Sequence, residues 1–347
     1  MIELIQDQLV FAFPELHPHA KLRIDFQRTL RIPDDGRDYA LPPGLGRFPL
    51  RHIDDFAAGV PAAWREHGGV MFPMFQSEAM WLLFGAEYDP QRGVSYPVAV
   101  KVATGKINAV TGQPWSGGLN RGPQDYLVTP NQPWLDGYCV EKGIIRQFVA
   151  MPLGTGYSAE EQITGKAEFG GVQLVAYPMK RDVFERRFQK IAARKPPTDY
   201  VESCLMEFDD SSLRCMSAMG LAPGGRMKQQ IYDDPFDFDD WDLAHSSRCF
   251  VHLTNSIAWR AITGEAPPTM PPTAKQYSNA GLPWFDYYDE RAKAVEGSGV
   301  LNKLKSAFGM GKEKGETPLP ENESCEPQVT VPLKPKRSPH EVREGTF

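Results

Sequence analysis

The chain reads as α+β and mainly β: a largely antiparallel core, few helices, long ordered loops and a disordered C-terminal tail. Three observations predict this. Short apolar, β-branched runs recur at residues 97–102, 106–110, 144–151 and 172–177, the length and pattern of strands buried on both faces. Leu22, Ile24 and Phe26 alternate with Arg23, Asp25 and Gln27, the period of a half-exposed antiparallel strand. The 31 glycines and 31 prolines interrupt the remaining segments, which favours loops over long helices.

In chain order, residues 9–13 and 21–27 read as two strands. His17-Pro18-His19 connects them as a turn; with no third ligand nearby in sequence it is not read as a metal site. Residues 33–48 form a loop rich in Pro and Gly, and Pro61 suits the first turn of a short helix at Ala62 to Arg65. Residues 69–75 are an apolar run, whereas 78–84 fit strand or helix equally. A hairpin joins 97–102 to 106–110 through Ala103-Thr104-Gly105. Ser158 with Glu161 forms a capping box and predicts a short helix. Asp182 is expected to cap a second helix over 183–193, which Pro196-Pro197 stops. The stop suggests a boundary near 197. Residues 1–197 form an N-terminal β-rich domain or half, and 198–292 a second β-rich half packed on it. The second half carries a proline-rich strap at 267–283, pinned by Trp284, Phe285 and Tyr287. Residues 293–347 supply a weak amphipathic helix (Val300, Leu301, Leu304, Phe308) and a tail expected to be disordered from 311 onward.

Composition narrows the function classes. A formal net charge of −6 argues against broad nucleic-acid binding. No apolar run approaches the ~20 residues of a membrane span, and the N-terminus lacks a signal-peptide pattern. The 5 cysteines are scattered, with no C-x-x-C pair, so neither a zinc site nor a disulfide framework is indicated and a cytoplasmic setting is expected.

Two stretches carry candidate binding chemistry. The 111–143 loop contains two copies of Gln-Pro-Trp, ending at Trp115 and Trp134, with Asp125 and Asp136 interleaved. It reads either as a rim of indoles and carboxylates for a small polar ligand, or as two aromatic plugs for the open end of a sheet. The second stretch, Gly224-Gly225-Arg226 with Lys228, reads as an anion cradle or as a tight turn feeding an exposed strand. It lacks the spacing of a phosphate-binding P-loop or a dinucleotide fingerprint. The acidic run from Asp233 to Asp242 fails the EF-hand pattern, so no metal and no cofactor are expected. Pairings such as Ser246 with His252, or Cys249 with His245, have no supporting motif. His252 reads as a core histidine.

Gly46-Arg47-Phe48-Pro49-Leu50, residues 106–112, residues 146–153 and Leu282-Pro283-Trp284-Phe285-Asp286-Tyr287 are the most distinctive strings. Through them the chain resembles an uncharacterised family of bacterial proteins of about this length, over roughly residues 8 to 292. The resemblance implies a bacterial source and carries no activity or catalytic residue. The expected function is therefore a non-catalytic cytoplasmic binding or scaffold protein. Val329, Val331 and Leu333 in the tail read either as a docking peptide for a protein partner or as an inert apolar island, and a small polar ligand is the other candidate partner. The alternative is an enzyme acting on a polar or anionic small molecule between the Trp115/Trp134 loop and the Gly224-Gly225-Arg226 turn, with Asp125 or Asp136 as base.

Overall fold

The computed structural model describes residues 1–189, 218–287, 292–317 and 319–333. Its centre is a 17-stranded, largely antiparallel sheet. The chain enters as a hairpin, Ile2–Ile5 with Gln8–Ala12, closed by Gln6 and Asp7 at φ 50° and 60°. Two consecutive positive φ values give the turn whose twist matches that of the flanking strands. Lys21–Thr29 then pairs with Gln8–Ala12 on one side and with Ala79–Ala86 on the other. The ambiguous apolar run at 78–84 is thus strand.

From there the sheet runs through Ile144–Pro152, Ala218–Lys228, Ser247–Asn255, Val172–Pro178 and Val98–Thr104, each antiparallel to the next. Strands from both sides of residue 197 therefore interleave in one sheet. All residues of Val98–Thr104 and Val172–Pro178 are buried, which explains their nearly continuous apolar character, interrupted by Lys101, Thr104 and Gln173. Val70–Met74 adds a parallel pairing along Ser247–Asn255.

Local signals correct several expectations. The hairpin after Val98–Thr104 turns at Gly105 and Lys106, with φ 53° and 60°, one register later than Ala103-Thr104-Gly105 suggested. The Ser158–Glu161 capping box is present and opens Ala159–Thr164. The next helix is Arg181–Arg187, with Lys180 rather than Asp182 at its N-cap, and part of the expected 183–193 span lies outside the described residues. The strap contains a helix, Ala274–Asn279, because Thr273 and Gln276 form a capping box. One amphipathic helix was expected at 300–308; two short ones occur, Gly299–Asn302 and Ala307–Glu313, capped by Ser298 and Ser306.

The tail differs most. Residues 311–317 and 319–333 are ordered: Thr330–Leu333 pairs in parallel with Trp284–Tyr287, and Cys325 is buried with its carbonyl accepting from the Tyr39 hydroxyl. The apolar island, read as docking peptide or inert segment, lies against the strand that ends the strap of its own chain. Residues 334–347 lie outside the described residues.

Candidate functional site

The two Gln-Pro-Trp copies lead to different environments. Lys101 sits in a fully buried strand, where an ammonium needs acceptors for every proton. Its Nζ donates to the Ser116 and Gly118 carbonyls at 2.9 and 3.0 Å and pairs with Asp125 Oδ2 at 2.6 Å. Asp125 Oδ1 accepts the Asn120 N–H at 2.8 Å. The Trp115 ring covers the ammonium, 5.4 Å from Nζ. Trp115 and Asp125 thus close a buried ion pair, and the loop around them is the shell that satisfies Lys101.

Gly224, Gly225 and Arg226 do not form a turn. They lie inside the Ala218–Lys228 strand, and the glycines serve close packing. A Cβ at Gly224 would stand 2.5 Å from Val149 Cγ2, and one at Gly225 2.5 Å from the Pro33 carbonyl. The Arg226 guanidinium is already engaged: Nε donates to Asp38 at 2.7 Å, and its two terminal nitrogens form a fork on Glu141 at 3.0 and 3.1 Å. Lys228 is exposed at the strand end. No anion cradle forms there.

Other sequence candidates are also occupied. Asp234 of the acidic run accepts from the Tyr126 hydroxyl, the Trp241 indole and the Phe236 N–H. His17 and His19 flank Asp89 at 4.0 and 3.9 Å, a position shared with Arg92 at 3.4 Å. His252 is a core histidine, stacked on Trp64 and bonded through Nε2 to the Gly68 carbonyl, and burial holds its pKa down at about 4. Burial pushes the Cys249 thiol up to about 12, which leaves it a poor nucleophile.

The second Gln-Pro-Trp copy opens onto a cleft. Trp134–Leu135 pairs with Leu82 and Leu83 of the Ala79–Ala86 strand. This brings Trp134 beside Trp81, ring centres 6.4 Å apart at 75°. Tyr287 of the strap backs Trp134 edge-on at 4.7 Å. A cleft of about 210 Å³ lies against the two indoles, bounded by Leu41, Pro42, Pro43, Gly44, Phe285 and Leu333. Gly44 leaves room for the Trp81 ring, which a Cβ there would meet at 3.2 Å and push back by a few tenths of an ångström.

Asp136 is the one titratable side chain among the described residues lining this cleft. It is buried, 4 % exposed. Gln229 grips it reciprocally: its Nε2 donates to Asp136 Oδ2 at 2.6 Å and its Oε1 accepts the Asp136 N–H at 3.0 Å. Oδ1 has no protein partner among the described residues. A single amide bond does not offset the loss of solvent, so burial pushes the carboxyl up to about 7.

Sequence reading therefore found Trp134 and Asp136 and missed Trp81, Gln229 and Phe285. Trp81 carried a usable signal. In Ala79–Ala86 the alternate positions Trp81, Leu83 and Gly85 form the less buried face, and a tryptophan on such a face marks a wall in need of cover. Comparisons with family models, with curated proteins and with solved structures gave no match.

Proposed function

We propose that this chain is a non-catalytic, cytoplasmic binding protein whose Trp81–Trp134 cleft takes a small ligand with a flat apolar body and a protonated amine. One observation carries the reading: a buried carboxyl with an uncommitted oxygen borders a cleft walled by two indoles. Indole faces attract cations and apolar rings alike, and a carboxylate in a low-dielectric wall gains most from a cation that replaces lost water. The volume of about 210 Å³ equals roughly seven waters at ~30 Å³ each, which matches one ring with a short arm. Acid–base catalysis calls for a second positioned group beside the substrate, and Asp136 has none among the described lining residues. Binding is therefore favoured over the enzymatic alternative.

Calorimetric titration with 2-phenylethylamine, 2-phenylethanol and phenylacetate at pH 8 tests this. The amine should bind with a Kd of about 1 mM or tighter, the alcohol more weakly and the acid not measurably. Asp136→Asn should erase the preference for amine over alcohol while leaving the alcohol's affinity in place. Equal affinity for all three probes, or no saturable heat with the amine, would overturn the assignment.

A further inference from the structure

A second site is independent of the indole cleft. Arg31 follows the Lys21–Thr29 strand, and its neighbours Leu30 and Ile32 enter the core. Gln147 fixes this stretch: its Nε2 donates to the Leu30 carbonyl at 2.8 Å, and its Oε1 accepts the Ile32 N–H at 2.9 Å. Extended backbone alternates its side chains, so Arg31 leaves on the opposite side. There it is 6 % exposed.

The guanidinium has five N–H donors and no acceptor capacity, so burial without partners is costly. Its Nε is buried and unpartnered, and among the described residues no hydrogen bond or ion pair reaches the group. Arg28, three residues earlier, shows the usual solution: it pairs with buried Glu78 at 2.8 Å and donates to the Thr269 carbonyl. The acids nearest in effect to Arg31 are Glu321 and Asp34, and their charges do not outweigh its desolvation. The Asp34 carboxylate accepts from the Ser306 hydroxyl, and its backbone N–H donates to Asn322 Oδ1 at 2.9 Å, while Glu321 Oε2 is itself buried without a partner.

Two small cavities, of about 40 and 20 Å³, meet at this side chain and share Arg31, Gln76 and Ser77 as walls. Ser77 is buried with φ 69°, a left-handed conformation uncommon outside glycine, and among the described residues its hydroxyl bonds only the Met151 sulfur, at 3.8 Å. The helix Ala307–Glu313, with Glu316, Thr317, Leu319 and Asn322, roofs the larger cavity.

We propose that the Arg31 cavity binds a small monoanionic carboxylate. The guanidinium fork matches a carboxylate in two parallel hydrogen bonds, and the Ser77 hydroxyl supplies a further donor. Monoanion rather than dianion follows from local charge: Arg31 and Lys312 are already matched along the two cavities by Glu316 and Glu321, and Glu78 of the smaller one is paired with Arg28, so every added negative charge also faces glutamates and the smaller charge is favoured. The available space also suits an acid the size of formate or acetate better than phosphate.

The test compares sodium acetate, inorganic phosphate and chloride at matched ionic strength on the full chain. Acetate should raise the Tm saturably, by several degrees at about 100 mM, and should shift the Arg31 Nε–H resonance in a ¹⁵N spectrum; phosphate and chloride should do neither. Arg31→Met should lose the acetate effect. Should that variant fail to fold, Ser77→Gly, compatible with the positive φ, should weaken acetate affinity several-fold and leave the fold intact. An Arg31 resonance indifferent to acetate, or equal stabilisation by chloride, would mean that the cavities hold only water and would overturn the proposal.

Discussion

The two Gln-Pro-Trp corners use the same residue types and reach opposite results. At the first, Asp125 meets a buried cation at 2.6 Å and Trp115 lies over the pair, so charge and indole are both spent inside the protein. At the second, the Asp136 carboxyl meets only the Gln229 amide among the described residues and Trp134 faces Trp81 across a cleft, so charge and indole remain available. A tripeptide does not decide between plug and rim. The decision belongs to the strand that arrives opposite: Val98–Thr104 brings a lysine, whereas Ala79–Ala86 brings a tryptophan.

Breaking the first corner should have the largest effect. Asp125→Ala leaves Lys101 buried and uncompensated and should cost about 3–5 kcal/mol in urea unfolding. Lys101→Met together with Asp125→Leu should recover much of that, because it removes both charges. Equal losses in the single and double variants would mean that the loop, not the ion pair, sets stability there.

The second corner should respond through pH. In the unfolded chain Asp136 ionises near 3.8, whereas in the fold it holds its proton up to about 7. Below the lower value it binds a proton in both states and its contribution to stability is fully present. As pH rises from the lower value through the upper one that contribution is lost, by an amount on the order of 4 kcal/mol. Asp136→Asn should therefore gain stability relative to the parent steadily between pH 4 and pH 7 and stay level above. A difference independent of pH would show that Asp136 is ionised throughout.

The smallest stability effects should come from the indoles, and these sharpen the contrast most. Trp134→Ala should cost about 1–2 kcal/mol, since the ring is only half-buried, and should abolish binding of 2-phenylethylamine. Trp115→Ala should cost a similar amount and leave that binding within twofold of the parent.

Much of the fold was legible because apolar runs and strict alternation are local signals; Leu22, Ile24 and Phe26 declared a strand, and Ser158 with Glu161 a helix start. Gly224-Gly225 misled because a glycine pair signals a turn, whereas here the missing Cβ atoms admit Val149 and the Pro33 carbonyl, neighbours remote in sequence. The order of residues 311–317 and 319–333 was hidden for the same reason. Cys325 and Leu333 find their partners on Tyr39 and on the Trp284–Tyr287 strand, and composition alone reads such a segment as too polar to pack. Arg31, one charge between two core residues, carried no signal until its lack of a hydrogen-bond partner among the described residues could be seen in space.

The most direct measurement is the Asp136 pKa, followed by carboxyl ¹³C chemical shift with and without 2-phenylethylamine. The account predicts a value near 7 in the free protein, falling by at least about one pH unit as the amine saturates, because a bound cation favours the carboxylate. A free-protein value near 3.8, or one that the amine leaves unmoved, would contradict the claim that this carboxyl is held open for a cationic ligand.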